Sequence, residues 1–265
     1  MTKLVVIDLD GTLLNAEHQL GSLTKQTLHA VHAAGYELMI ATGRHFQDVH
    51  RLAQQLEVPL SLITSNGARV HDCHGNLLYE NHIPAHLVAE VLDLSQSYGV
   101  HRNIYQGDNW WVEEENQALL EIHQASGFGY QITDFAELNP QHIDKFYFNA
   151  AHEKLEPLAQ SLQQRVGGQL YITFTTEIYL EVMNKGVSKA TALSQLCAEK
   201  GIDAKEVMAF GDGFNDLEML LWAGHSVLMA NANPLLQQRL PLAKRAISNA
   251  KEGVAHYLQA ALLNG

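Results

Sequence analysis

Basic residues are scarce in this 265-residue chain: 17 Lys and Arg stand against 29 Asp and Glu, a formal net charge of −12 with the 15 histidines neutral. Phosphate backbones are gripped by Lys/Arg stripes, so an acidic chain without a basic run argues against a nucleic-acid partner. Cysteine is scarcer still. Cys73 and Cys197 lie far apart and form no CxxC, which excludes a disulfide framework and a thiolate zinc site and points to a reduced compartment. No apolar run is long enough to span a bilayer, and Asp8 and Asp10 arrive before a signal-like stretch develops; the expectation is a cytoplasmic protein with no membrane partner. Charged residues make up only 17% against 46% hydrophobic, which excludes disorder. Internal repeats, low-complexity tracts and Gly/Ser linkers are also missing.

What is present is an alternation. Lys3 to Leu9 is a short β-branched apolar run, the spacing Leu23, Leu28, Val31, Ala34 before Gly35 predicts an amphipathic helix, and Tyr36 to Ala41 predicts a second buried strand. A helix from Phe46 to Leu56, a stop at Pro59 and a strand from Leu60 to Thr64 continue the pattern, which predicts a parallel sheet of βαβ units. Near Ile83-Pro84 the texture changes. Helices over Ala85–Tyr98, Gln117–Ser126 and Glu153–Val166 mix with strand-like runs at 103–105, 110–112, 145–149, 170–175 and 178–182. From Ser188 the βα alternation returns through Val207–Phe210, Leu217–Ala223, Ser226–Met229, a helix from Pro234, a strand at 246–248 and a last helix over Gly253–Leu262. The expected architecture is therefore an α/β, Rossmann-like three-layer αβα core with a parallel sheet, residues 1–82 and 187–265, carrying an inserted α+β domain at 83–186.

In an open α/β sheet, ligands bind at the carboxyl ends of the strands. The first strand ends in Asp8-Leu9-Asp10-Gly11-Thr12-Leu13-Leu14, the second in Thr42-Gly43-Arg44 and the third in Thr64-Ser65-Asn66-Gly67. Lys185-Gly186-Val187-Ser188-Lys189 opens the helix after the insert, and the strand Val207–Phe210 runs into Gly211-Asp212-Gly213-Phe214-Asn215-Asp216. Each segment has a plain structural reading as well: a βα turn with a helix cap, an Asn-Gly turn, a solvated loop. Each also offers chemistry. Paired carboxylates with an amide form a hard-cation site of oxygen ligands; a hydroxyl, an accessible N–H and a guanidinium suit phosphate oxygens; two lysines at a helix start oppose the macrodipole by a few tenths of a kcal/mol unless an anion is near.

D-x-D-G-T-L-L, T-G-R, a lysine after the insert and G-D-x-x-N-D occur in this order along the whole chain, and as a set they resemble the haloacid dehalogenase superfamily in its Cof-type branch, which carries a type IIB cap between the second and third motifs. The resemblance implies a Mg²⁺-dependent phosphatase. Asp8 is then the nucleophile that forms an aspartyl-phosphate, and Asp10 the general acid and base. Mg²⁺ is held by Asp8, the Asp10 backbone carbonyl and Asp212. Leu9, Thr42, Gly43, Lys189 and Asn215 bind the transferring phosphoryl group, and Asp216 orients Lys189 or metal-bound water. The implied partner is a small phosphorylated metabolite met by a monomer or weak homodimer.

Within the branch, Ile63–Asp72 and Leu180–Met183 resemble phosphatases that act on pyridoxal phosphate and sugar phosphates. Arg44, Asn66 and Glu181 are the candidate substrate contacts: Arg44 through its guanidinium, Asn66 as an alternative to a plain Asn-Gly turn, and Glu181 either meeting a substrate hydroxyl or facing solvent from its strand. Lys185-Gly186 departs from the expected glycine pair. Tyr105, Trp110, Trp111 and Tyr179 either stack on a substrate ring or pack as core. A phosphotransferase or sugar-phosphate mutase would use the same intermediate, and a signalling receiver would also phosphorylate an aspartate, although it has no use for Asp10. The histidine pairs His29/His32 and His82/His86 and the cluster His71, Cys73, His74 lack a full tetrahedral zinc set.

Overall fold

The computed structural model describes residues 2–263, the side chain of Ile122 excepted; positions 1, 264 and 265 at the ends of the two expected core segments lie outside the described residues. Along the first part of the chain run β1 (Leu4–Asp8), α1 (Ser22–Ala33), β2 (Glu37–Ala41), α2 (Phe46–Gln54), β3 (Ser61–Thr64), β4 (Arg69–His71) and β5 (Leu77–Glu80). There follow α3 (Ala85–Ser95), β6 (His101–Gln106), β7 (Asn109–Val112), β8 (Gln131–Ile132), β9 (Ile143–Asn149), α4 (His152–Val166), β10 (Leu170–Thr176) and β11 (Tyr179–Asn184). The chain closes with α5 (Lys189–Lys200), β12 (Val207–Gly211), α6 (Leu217–Trp222), β13 (His225–Met229), α7 (Pro234–Arg239), β14 (Lys244–Ala246) and α8 (Gly253–Leu258).

Among the described residues these strands form two sheets. The larger has the order β14-β13-β12-β1-β2-β3-β4-β5, and the smaller β10-β11-β9-β6-β7-β8. From β14 to β3 all neighbours are parallel. The fully parallel expectation needs correction at the other edge, where β4 and β5 pair antiparallel. Their residues carry little of the apolar run that marks a buried parallel strand: β5 is three-quarters exposed by residue, and the turn Asp72–Gly75 makes a hairpin.

Period-2 alternation sorts the core. Val5 and Ile7 of β1 face a layer built by α1, α2 and α8, where Leu28, Val31, Val49, Leu52, Val254 and Leu258 pack. Leu4 and Val6 face the opposite layer of α5, α6 and α7, with Leu193, Leu196, Met219, Leu220 and Leu236. That is the three-layer αβα arrangement. In the smaller sheet Ile104, Phe146, Phe148, Leu180 and Val182 pack against α3 and α4, while alternate residues of the same strands, Tyr105 and Tyr147, form a second aromatic cluster on the other face.

Three other expectations shift. Gln117–His123 winds as a 3₁₀ segment in place of a regular α-helix, pinned at its end by His123 against buried Asp48. The edge strand β14 begins two residues earlier than its apolar pattern implied, because its first two residues are exposed charges. The last helix widens after Leu258 over Gln259–Leu263. No helix among the described residues is long and apolar enough to cross a membrane.

Candidate active site

Because β12, β1, β2 and β3 are adjacent and parallel, their carboxyl ends open at one edge of the sheet, where strand order reverses about β1. There β1 delivers Asp8, β2 leads into Thr42-Gly43-Arg44, β3 into Ser65-Asn66-Gly67, and β12 into Asp212–Asp216. A cavity of about 360 Å³ lies over these ends. It is lined by Asp8, Asp10, Thr42, Gly43, Arg44, Asn66, Asp212, Gly213 and Asn215 from the strand ends and by Tyr105, Leu119, His123, Lys145, Tyr147, Thr175, Thr176, Tyr179 and Glu181 from residues between β5 and β12.

At its floor Lys189, 1% exposed, donates to Asp8 Oδ1 at 2.6 Å and to Asp216 Oδ1 at 2.7 Å. Ser188 caps α5 through the N–H of Thr191, which fixes the first turn from which Lys189 reaches the strand ends. The two carboxylates hold the ammonium protonated, its pKa raised although burial alone would lower it. Asp216 also accepts from the N–H groups of Asp212 and Gly213 at 3.0 Å each, which folds the Gly211–Asp216 turn around its own side chain. Asp212 accepts from Thr12 Oγ1 at 2.8 Å. Gly11, at φ +77°, has no room for a side chain: a Cβ there would collide with the Asp212 carboxylate.

Asp8, Asp212 and Asp216 each present a carboxylate oxygen, all within 4.8 Å of one another. Burial, reinforced by the charge of Asp216, pushes Asp8 well above the usual carboxylate range and Asp212 up to about 6. One ammonium, that of Lys189, stands against these three carboxylates, which leaves negative charge in excess, and an all-oxygen donor set suits a hard divalent cation over a soft metal. The residues present therefore fit such an ion.

Asp10 is differently placed. Arg44 Nε and Nη2 donate to its two oxygens at 2.7 and 2.5 Å, a bidentate pair, and His18 Nδ1 lies 3.3 Å away. Burial opposes ionisation, yet these bonds hold Asp10 below the usual range. Arg44 Nη1 in turn donates to Asp48 Oδ2 at 3.2 Å. Asp48 is fully buried at the first turn of α2 and also accepts from His123 Nδ1 at 2.8 Å and from Ser126 Oγ.

A second network joins the two sheets. Asn215 Nδ2 donates to Asn66 Oδ1 at 3.1 Å, Asn66 Nδ2 donates to Glu181 Oε2 at 2.6 Å, and Lys145 Nζ donates to Glu181 Oε1 at 2.8 Å and to the Gly43 carbonyl at 3.0 Å. Lys145 also lies 5.0 and 5.4 Å from the ring centres of Tyr105 and Tyr147. Asn66 reaches this position because Ser65, Asn66 and Gly67 all adopt left-handed backbone, at φ 49°, 56° and 103°, and Gly67 abuts the Ser188 carbonyl with no space for a Cβ. The Asn-Gly turn read from the sequence is real, and it also aims a side chain into the cavity.

Of the expected residues, Asp8, Asp10, Thr42, Gly43, Arg44, Asn66, Glu181, Asp212 and Asn215 meet in one cavity. Lys189 and Asp216 sit behind it, and Leu9 turns its side chain into the core. Thr42 Oγ1 accepts from the N–H of Arg44 at 3.2 Å. Trp110 is core, Trp111 packs on the opposite face, and Tyr105 and Tyr179 line the cavity. Sequence reasoning missed Lys145, Tyr147, Asp48 and Thr12. Lys145 had a signal: Ile143–Asn149 carries two adjacent charges in an otherwise apolar strand, a pattern that needs buried partners.

The fold and site define a hydrolase-type α/β core in which a buried carboxylate, a lysine and an acidic turn whose oxygens fit a divalent cation converge at the strand ends beneath an inserted sheet. Residues 5–258 match the family profile of haloacid dehalogenase-like hydrolases. The chain is 38% identical over 258 residues to the HMP-PP phosphatase of Yersinia pestis, covering 97% of this chain and 94% of that one. A haloacid dehalogenase-like hydrolase of Bacteroides thetaiotaomicron superposes with a TM-score of 0.89 at 26% identity, covering 98% and 99% of the two chains. Another from B. subtilis superposes at 0.87 with 27% identity, covering 98% and 100%. The chain belongs to the haloacid dehalogenase superfamily of hydrolases, in its cap-bearing Cof-type branch.

Proposed function

We propose that the protein is a Mg²⁺-dependent phosphatase that hydrolyses small phosphomonoesters through an aspartyl-phosphate on Asp8. The observation that carries this reading is the buried Asp8–Lys189–Asp216 arrangement with Asp212 beside it. Asp8, Asp212 and the Asp10 backbone would hold the Mg²⁺, which when bound neutralises the charge that otherwise sets carboxylate and phosphate apart. An Asp8 oxygen attacks phosphorus, the bond from phosphorus to the leaving alcohol's oxygen breaks, and the alcohol oxygen takes a proton from Asp10. Water then attacks the phosphorus of the aspartyl-phosphate while Asp10 takes its proton, releasing phosphate and restoring Asp8. Lys189, Asn215, the Thr42 hydroxyl and the N–H groups after Asp8 and Thr42 cradle the transferring oxygens. The geometry adds one requirement. Asp10 held ionised by Arg44 is set as a base, so donating the first proton requires it to leave that pair.

Residues 83–186 act as a cap that shields the reaction from bulk water. Support comes from the side chains it sets over the strand ends: Lys145 and Glu181 for polar substituents, and Tyr105, Tyr147 and Tyr179 for a ring. A small phosphorylated metabolite with a ring and polar groups matches this lining, which keeps pyridoxal phosphate and sugar phosphates as substrates and adds HMP-PP on the strength of the relatives' names. Phosphate release should be ranked by kcat/KM across these compounds and nucleotides in Mg²⁺. We expect the ring-bearing small phosphoesters to lead the ranking and Asp8→Asn to abolish release from all of them. Retained turnover in that variant overturns the reaction assignment, and a ranking led by nucleotides overturns the substrate class.

A further inference from the structure

Where the chain leaves β5 for the smaller sheet, a second group of ligating side chains converges, well separated in sequence from the acidic turn of the active site. Glu80, His82 and His142 each place one ligand atom within 4.8 Å of the other two. His82 stands between two carboxylates, with Nε2 3.0 Å from Glu80 Oε2 and Nδ1 3.0 Å from Asp144 Oδ1. The rings of His82 and His142 meet edge to face at 5.0 Å. Asp144 is completely buried, and neither of its oxygens makes a well-aligned hydrogen bond. A buried carboxylate left in that condition is costly unless the group it faces is firmly oriented and charged or bound to a cation.

We propose that Glu80, His82 and His142 form a second metal site, for a divalent transition ion of the zinc class. In this arrangement His82 Nε2, a His142 ring nitrogen and the Glu80 carboxylate are the ligands, three protein groups that leave a fourth position for water. Asp144 takes the Nδ1–H of His82 and orients the ring, the carboxylate–histidine–metal relay by which ligating imidazoles are fixed. Two imidazole nitrogens and one carboxylate select zinc, cobalt or nickel over Mg²⁺, which keeps to oxygen ligands. The sequence pairs His82 with His86, a pair without a full ligand set; the tertiary fold pairs His82 with His142 instead. The location gives the ion a role: Glu80 ends the edge strand of the larger sheet, His142 precedes the central strand β9 of the smaller one, and Ile83 N–H donates to the Ile143 carbonyl at 2.8 Å between them. An ion here ties the connection between β5 and α3 to both sheets.

The test is Zn²⁺ titration of the full chain in saturating Mg²⁺, against a chromophoric chelator, so that the acidic turn is already filled. Wild type should bind one Zn²⁺ that His142→Gln and His82→Gln abolish and His86→Gln leaves intact. Asp144→Asn should weaken binding by about 10–100-fold. Co²⁺ should give visible absorption that disappears in the same variants. His142 is exposed, so its substitution leaves a folded protein, and circular dichroism confirms that for each variant. Absence of Zn²⁺ binding in wild type, or binding equal in wild type and His142→Gln, overturns the proposal without touching the phosphatase reading, which phosphate release in Mg²⁺ reports separately.

Discussion

Lys189 is buried, and its ammonium donates to Asp8 and Asp216. Removing one partner from a buried ion pair typically costs about 3–5 kcal/mol, so Lys189→Met should lower the unfolding free energy by that order in denaturant titration and lose phosphatase activity, whereas Met substituted for exposed Lys205 changes neither. Lys145 makes the contrasting case. Its bonds to Glu181 and the Gly43 carbonyl hold a cavity wall, and loss of a charge-assisted bond of about 1.5–3 kcal/mol predicts a KM at least about tenfold higher in Lys145→Ala with kcat less affected. A kcat that falls as far as kcat/KM would assign Lys145 to the chemical step. Legibility differs between these two lysines for a physical reason. Lys189 follows a βα motif at a helix start, where local sequence announces it; Lys145 is defined by partners 36 and 102 residues away, which no local pattern carries.

At the scale of elements, the strand-end loops are where sequence and structure agree most closely, because glycine and the short polar residues that permit such turns are the same residues that approach a ligand. Gly67 is needed on two counts, a φ of +103° and contact with the Ser188 carbonyl; Gly67→Ala should cost at least about 1–3 kcal/mol, read as a lower thermal midpoint. The start of α2 carries a pH-dependent feature. His45 accepts from the Gln47 N–H through Nδ1 and donates from Nε2 to the Gly107 carbonyl at 3.0 Å, and its ring stacks on Phe128 at 4.6 Å. Burial, aided by the charge of Arg69, lowers its pKa to about 3. A depressed folded pKa means that the unfolded chain takes up the proton first as pH falls below about 6.5, so stability present above that value is lost progressively toward pH 3. The slope from this one group is at most about 1.4 kcal/mol per pH unit. Urea titrations between pH 7.5 and 4.5 should show a shallower decline in His45→Gln than in wild type; parallel declines would contradict a neutral buried imidazole. The strands that the sequence did not announce, β4 and β5, are short: β4 is buried but two of its three residues are Arg69 and His71, and β5 is an edge strand with three of four residues exposed, so neither carries an apolar run.

For the whole molecule, the acid excess of the chain acquires a local counterpart. The chain carries net charge −12, yet the cavity gathers Lys145, Arg44 and the buried Lys189 around its carboxylates. An anionic substrate is therefore drawn by a few fixed charges and a bound cation, not by the long-range field. The smaller sheet is held over the cavity by a ring of contacts: Arg69 Nη1 with the Gly107 carbonyl and with Asp108, Arg51 with the Ser126 carbonyl at 2.8 Å, and the Asp48 hub. Arg69→Ala should loosen that closure, seen as faster hydrogen exchange in residues 103–112 and a higher KM with the unfolding midpoint little changed.

The phosphatase reading depends on Asp8 being the group that accepts phosphate. Acid quenching of the wild-type enzyme during turnover in Mg²⁺, followed by peptide mass spectrometry, should find a phosphoryl group on the peptide containing Asp8, accumulating to a larger fraction in a variant impaired in hydrolysing it. A phosphoryl group on any other residue, or a burst of product with Asp8 unmodified, would contradict the account.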